Sequence, residues 1–280
     1  MISDDDQKYI LTRAYVPEHS VDLITRVSGG EPFLINDFFC CRRDDWLIVV
    51  GYPLEGEFSP DRFENIFARI KNQFHPKHLS LMAPELPPSI SPDCQEKQSD
   101  YFYTLDMKKF TLKAVLKRVV NKALKTLSVE RSTAMDEPHD ELAREFIKRV
   151  NPPPRIQELL SRMSNYVGSA AQSVVLNAWD NAHKLAAYYI IDLAANNFST
   201  YVVGCHSKKH YTPGASDLLC YEMIKMSQEY GKRYIHLGLG VNEGIIRFKR
   251  KWGGRPTIKY ELCELVLKKP SLLETIFALR

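Results

Sequence analysis

The stretches AQSVVLNA (171–178), KLAAYYIIDL (184–193) and STYVVGCH (199–206) decide the fold. Each is a short run rich in apolar, β-branched and aromatic residues, the composition of a strand packed on at least one face. The links between them, around Trp179-Asp180-Asn181 and Asn196-Asn197, carry the polar turn residues of hairpins. Three strands joined in this way pair antiparallel. The chain then changes habit. Residues from Ser216 to Tyr230 read as a helix, Gly231 stands where a glycine ends one, and Tyr234-Ile235-His236-Leu237 resumes as a strand. A strand–helix–strand connection brings the second strand parallel to the first. The sheet is therefore antiparallel on one side of residues 199–206 and parallel on the other. A crevice is expected where the pairing changes, facing a helix N-terminus.

Upstream, Leu127 to Arg131 alternates as a strand, and helices are expected from Glu137 to Val150 and from Pro154 to Val167, parted by Asn151-Pro152-Pro153. Downstream, Asn242 to Lys251 reads as a basic helix stopped at Gly253-Gly254. Ile258 to Leu267 reads as a strand and Pro270 to Leu279 as a closing helix. From Leu127 onward the order is β-α-α-β-β-β-α-β-α-β, an α/β class with a mixed sheet. Leu112 to Lys125, just before it, is an amphipathic helix carrying Lys113, Lys117, Arg118, Lys122 and Lys125. The first hundred residues are less regular. Trp46 to Tyr52 reads as a buried strand, and Ser59-Pro60-Asp61 opens a helix to Phe74 with Phe63, Ile66, Phe67 and Ile70 on one face. Leu79 to Met82 and Tyr101 to Leu105 are strands, and Pro84 to Asp100, with four prolines, is a loop. The expected organisation is a smaller α/β unit over residues 1–107, a larger one over 108–268, and a segment 269–280 that packs back.

The chain has 280 residues, 44% hydrophobic and 26% charged, which excludes collagen-like and disordered classes. Its net charge of +4 is spread along the chain and does not mark a dedicated nucleic-acid binder. No apolar run reaches the roughly 18 to 20 residues that span a bilayer. The acidic start Met1-Ile2-Ser3-Asp4-Asp5-Asp6 lacks the regions of a signal peptide. The cysteines at 40, 41, 94, 205, 220 and 263 form no Cys-x-x-Cys pair and no zinc-like spacing with histidine. The reading is a cytoplasmic protein with six reduced thiols and no metal.

Two segments could carry chemistry. Ser207-Lys208-Lys209-His210-Tyr211-Thr212-Pro213-Gly214-Ala215 leads from a strand into a helix, where backbone N–H groups and nearby cations suit a phosphate. A solvated, capped loop accounts for the same residues. The second segment is Gly238 to Gly254. There Asn242 is placed as an N-cap, Ile245, Phe248 and Trp252 share a face expected to be core, and Arg247, Lys249, Arg250 and Lys251 cover the remainder. Most of those cations read as a solvated face. Lys249 adjoins the apolar stripe, so its amine is a candidate for a lowered pKa or for a charge held against a developing oxyanion. His236 is either a general base or a paired core histidine.

The element order resembles that of the GNAT superfamily of N-acyltransferases, and Asn242, its helix and Gly253 resemble the last GNAT motif. The run Gly244-Ile245-Ile246-Arg247-Phe248-Lys249-Arg250-Lys251-Trp252-Gly253 is more similar to one branch, the Fem-type aminoacyl transferases and their CoA-dependent relatives, which close on Arg-Phe-Lys-x-x-Trp-Gly. The likeness covers about residues 108 to 267. It implies a GNAT-like acyltransferase fold, with residues 1–107 as a degenerate GNAT-like unit walling the acceptor cleft, and transfer of an acyl group from acyl-CoA to a small or polymeric amine. Lys208, Lys209, Gly214, Ala215, Ser216 and Asn242 would hold the CoA. Lys249 would lie near the acyl group, with His236 as the base and Tyr211, Glu222 and Arg247 on the substrate side. The usual pyrophosphate signature is absent apart from Gly214 and Ala215, and His236 stands where the branch often has an acidic residue. A donor of aminoacyl-tRNA, touched by the basic helix 112–125, and a non-catalytic ligand-binding descendant are the alternatives.

Overall fold

In a computed structural model that describes residues 2–267, the chain runs α1 (Asp4–Arg13), α2 (Val21–Ser28), β1 (Glu31–Ile35), β2 (Phe38–Arg43), β3 (Trp46–Val50), α3 (Pro60–Phe74), β4 (His78–Ala83) and β5 (Glu96–Asp106). It continues through α4 (Ala114–Ala123), β6 (Leu127–Ser132), α5 (Glu137–Val150), α6 (Pro154–Ser169), β7 (Ser173–Asp180), β8 (Leu185–Asp192), β9 (Phe198–His206), α7 (Ala215–Glu229), β10 (Tyr234–Leu239), α8 (Glu243–Lys251) and β11 (Arg255–Val266). The expected closing helix at 270–279 lies outside the described residues. No described helix is long and apolar enough to cross a membrane.

The strands form one sheet in the order β1-β2-β3-β4-β11-β5-β10-β9-β8-β7-β6. As the hairpin signals imply, β7, β8 and β9 pair antiparallel, while β10 joins β9 in parallel after the α7 crossover. The order interleaves the two expected units: β11 sits between β4 and β5, and β5 between β11 and β10. Alternating strand residues fill a core on each face. Leu116 and Val120 of α4, Leu218, Leu219 and Met223 of α7, and Trp252 pack with Tyr103, Leu105, Ile235 and Leu237. Phe63, Phe67 and Ile70 of α3 cover Leu79, Leu81 and Leu265. On the opposite face Leu142 of α5 and Leu160, Met163 and Tyr166 of α6 pack on Tyr188 and Ile190, and Ile10 and Val21 of α1 and α2 pack near Phe102 and Tyr260.

The first hundred residues hold two elements the sequence did not announce, and one expected loop is corrected. The acidic start is a helix, because Ser3 and Asp6 form a reciprocal capping box that satisfies its first amides. The β1–β2 hairpin, turned at Asn36 in the left-handed region (φ 55°), is hidden in sequence by Pro32 and by the unbroken run Phe38-Phe39-Cys40-Cys41. β5 begins five residues inside the expected loop. Its Glu96–Asp100 half pairs with Tyr260–Glu264 but is polar on both faces, so no alternation announces it.

The cysteine reading is corrected as well. Cys94 and Cys263 are joined as a disulfide across 169 residues of sequence, while Cys40, Cys41, Cys205 and Cys220 are free and buried. Spacing could not reveal the pair, since it depends on β11 lying beside the start of β5. Closing a loop of that length removes on the order of 5 kcal/mol of unfolded-chain entropy in the loop model. Alkylation of the denatured, unreduced chain is therefore expected to label four cysteines and the reduced chain six, with reduction lowering the unfolding midpoint. Six labels without reductant would refute the bridge.

Candidate functional site

β9 and β10 pair over only three positions, Phe198 with Tyr234, Ser199 with Ile235 and Thr200 with His236. Past that point they part. β9 stays on β8 but carries an extra residue, Val202, where the register shifts between Ile190 and Ile191. β10 stays on β5 and bulges between His236 and Leu239, with Gly238 at φ 73°. The backbone edges that face each other beyond Thr200 and His236 therefore lack a ladder partner across the gap. The other parallel pair in the sheet, β3 with β4, does not part in this way. β3 and β4 pair over five positions, and Gly51 N–H extends the contact to the Met82 carbonyl at 2.7 Å.

Lys249 reaches into this gap from α8. The helix starts as expected, with Asn242 Oδ1 accepting the Ile245 N–H at 3.0 Å. Its buried side differs from expectation. Ile245 is 37% exposed, whereas Lys249 is only 6% exposed and lies beside Ile246, Phe248 and Trp252. The Lys249 Nζ donates to the Leu239 carbonyl and stands 5.7 Å from the Tyr103 ring centre. A Cβ at Gly238 would lie 3.8 Å from Nζ and 3.9 Å from the Tyr201 carbonyl, so the amine lies against the bulge of β10, on the stretch where that strand has parted from β9. Burial lowers its pKa to about 7, against the opposing pull of the Asp100 carboxylate.

His236 lies on the other side of β10, fully buried between the rings of Phe102 and Phe198 at 4.7 and 5.9 Å. Its Nδ1 takes a long 3.4 Å contact from Gly238 N–H, and its Nε2 has no hydrogen-bond partner. Burial first, and the Lys249 charge second, depress its pKa to about 3. The ring is neutral above that pH and presents no exposed atom, and with Nε2 unpartnered it is not the hydrogen-bonded core histidine of the other expectation.

The other expected residues divide between the phosphate loop and the surface. Gly214, at φ 87°, is the N-cap of α7, and no side chain caps the first turn behind it. A Cβ there would come within 3.1 Å of Ala123 on α4, so glycine is required by both conformation and space. Ala215 is buried, and the Ser216 carbonyl accepts from the Tyr189 hydroxyl at 3.1 Å. Lys208 and Lys209 are exposed, while the loop is tied down by Glu145, which accepts from Ser207 Oγ at 3.0 Å and from Lys208 N–H at 2.5 Å. The Ala215 N–H donates to the Thr212 carbonyl at 3.2 Å, which leaves the next amides of the first turn as the ones that fit a phosphate group. Tyr211 is 64% exposed, and Arg247 is exposed on α8. Glu222 is not directed to the gap: Arg131 and Lys225 hold it at 2.9 and 2.6 Å on the side of α7 next to β6.

Among known proteins, no family model matches the chain and no curated sequence does. Solved structures do. FemX aligns over 99% of this chain and 98% of its own at TM-score 0.65 and 10% identity. The C-terminal domain of a putative lysylphosphatidylglycerol synthetase from Agrobacterium fabrum covers 98% and 94% at 0.59 and 14%. A tandem GNAT protein from the clavulanic acid biosynthesis pathway covers 95% and 97% at 0.57 and 13%. The chain has a GNAT-like fold. At these identities the likeness is one of architecture, and it spans both halves.

In this GNAT-like frame, the residue that sequence reasoning missed is Asp100. It accepts the Val241 N–H at 2.8 Å and acts on Lys249 by charge, yet it lies 141 positions from Val241, in a segment read as loop. Only the β5–β10 pairing brings the two together.

A buried lysine whose folded pKa lies near 7, against 10.5 ordinarily, takes up fewer protons folded than unfolded between those values. Its burden on stability is largest below about pH 7 and fades as pH rises toward about 10. Lys249→Met is thus expected to raise the denaturant midpoint near pH 7, with the difference from the parent shrinking as pH rises. A midpoint lowered at neutral pH would mean that Lys249 is there to hold the fold.

Proposed function

We propose that this chain is an N-acyltransferase whose reaction centre is the gap between β9 and β10. The observation that carries the reading is the desolvated Lys249 amine held on the bulge of β10, where that strand has parted from β9. An acyl carbonyl laid in the gap would meet a positive charge in a water-poor setting, where a preorganised charge stabilises a developing oxyanion far more than in solvent. The acceptor nitrogen bonds to the carbonyl carbon, the carbonyl–sulfur bond breaks, and the proton lost by the amine passes through solvent to the departing thiolate. Lys249 keeps its own proton throughout. No covalent enzyme intermediate is required, because holding donor and amine together supplies much of the acceleration. His236 shapes the wall behind it.

The donor we favour is acyl-CoA, its phosphates at the amides behind Gly214 beside Lys208 and Lys209, with an amine-bearing small molecule or polymer as acceptor. The two-unit division at residue 107 belongs to this proposal: the first half, closed where the second is open, walls the acceptor side. A second reading, an aminoacyl-tRNA donor, rests on α4 and its flanks. Lys113, Lys117, Arg118, Lys122 and Lys125 are exposed there with no carboxylate among them, a surface suited to a nucleic-acid backbone. The likeness to structures named FemX and tandem GNAT supports transfer chemistry without choosing between the donors.

Unfolding midpoints measured with CoA, acetyl-CoA and longer acyl-CoAs are expected to rise, by roughly 2.7 kcal/mol in stability at 100-fold over the dissociation constant. No rise with any of them, alongside salt-sensitive binding of charged tRNA, would move the donor to tRNA; neither result would leave a fold without this chemistry.

With a turning-over donor, Lys249→Ala should lose roughly 10²- to 10³-fold in kcat, the usual effect of removing one oxyanion donor. Because the charged amine is the working form, the parent's kcat should fall as pH rises through about 7. A kcat that instead climbs through that pH would make Lys249 a base and sink the assignment.

A further inference from the structure

The turn that joins β10 to α8 is held in an unfavourable shape. Val241, a β-branched residue, has φ 62°, in the left-handed region that its side chain disfavours, and it is 65% exposed, so no packing of its own side chain holds it there. Such an outlier persists only where its surroundings over-determine it. Two hydrogen bonds hold it: the Asn242 N–H donates to the Gly240 carbonyl at 2.7 Å across Val241, and a carboxylate from another strand takes the Val241 N–H. Asp100 on β5 accepts the Val241 N–H through Oδ2 at 2.8 Å and the Tyr101 N–H through Oδ1 at 2.6 Å. Gly240 lets the turn come this close: a Cβ there would stand 2.8 Å from Asp100 Oδ1. The next residue, Asn242, caps α8, and two turns on the same helix delivers Lys249 to the Leu239 carbonyl. Turn, cap and ammonium form one short rigid path that begins at Asp100.

We propose that Asp100 is a positioning residue: by holding the Val241 amide it fixes the β10–α8 turn and, through it, the place of the Lys249 ammonium in the gap. The proposal rests on the acyltransfer reading for its effect on rate, but its structural part stands apart from that reading. Asp100 is also a source of negative charge for Lys249. From β5, Asp100 and the Tyr103 ring face the ammonium; from β10, the Leu239 carbonyl accepts from it and His236 is neutral; on β9, the carbonyl of Tyr201 lies near Gly238, and burial keeps the Tyr201 phenol protonated. On α7, Asp217 is engaged by Lys251 at 2.5 Å and by Trp252 Nε1 at 2.9 Å. On α8 itself, Arg250 and Lys251 are exposed.

Two variants separate bond from charge. Asp100→Asn keeps a side-chain oxygen for the Val241 N–H and removes the charge; Asp100→Ala removes both. The readout that needs no substrate is the titration of Lys249 in protein carrying isotope-labelled lysine, its resonance assigned by loss in Lys249→Met. With the carboxylate gone, the charged amine loses a stabilising neighbour, so Lys249 should titrate below its parent value in Asp100→Asn. Exchange of the Val241 amide should quicken in Asp100→Ala and stay near the parent in Asp100→Asn. With a working donor, Asp100→Ala should cost roughly 10²-fold in kcat at little change in donor KM, as a misplacement of about 1 Å does, and Asp100→Asn should recover much of it while shifting the falling limb to lower pH. Unchanged Lys249 titration together with an unchanged Val241 exchange rate would overturn the proposal. If no donor turns over even in the parent, the acyltransfer reading fails, while titration and exchange still decide the role of Asp100.

Discussion

The site depends on strand divergence. A parallel pair between β9 and β10 that continued past Thr200 and His236 would satisfy its own backbone and leave no room for a ligand. Two local irregularities prevent that. An extra residue in β9 and a bulge in β10 rotate the strands apart, each while remaining paired to its outer neighbour, so the sheet stays continuous and the gap opens inside it rather than at an edge. Elsewhere in the sheet, β3 and β4, also joined through a helix, pair in parallel over five positions with no such divergence.

Into that gap the protein places a lysine in surroundings that disfavour its charge. Lys249 has an apolar helix face behind it, a tyrosine ring beside it, and a backbone carbonyl as its hydrogen-bond partner. Ile245 and Lys249 lie one turn apart on the same face of α8: Ile245 in the first turn is 37% exposed and Lys249 only 6%, so burial on that face deepens toward the C-terminal end of the helix. Asn242 caps the helix, and Asp100 holds the Val241 amide just before it.

Much of this was legible in the sequence wherever the signal was local. The α3 helix announced itself by Ser59, Pro60 and four apolar residues on one face, and the β7 to β10 order by hairpin turns and a glycine-terminated helix. The position of Lys249 beside an apolar stripe was visible too, though not the depth of its burial. What stayed hidden depends on pairing over long separations. Cys94 meets Cys263 and Asp100 meets Val241 because β5 lies between β11 and β10, an adjacency with no trace in spacing or periodicity. His236 shows the same limit in another form: its strand was readable, but whether an imidazole is a base or a wall depends on Phe102 and Phe198, which come from two other strands.

β5 is therefore the element on which both halves converge. It supplies Phe102 against His236 on one face, Tyr103 beneath Lys249 on the other, and Asp100 at its polar start for the β10–α8 turn. Its polar first half, which made it unreadable as a strand, is what frees Asp100 to face a turn rather than a core. A more apolar sequence there would form the same ladder with β11 but would leave Val241 without the acceptor that holds its strained conformation. The composition that weakens the strand signal is thus the composition that lets Asp100 reach the β10–α8 turn.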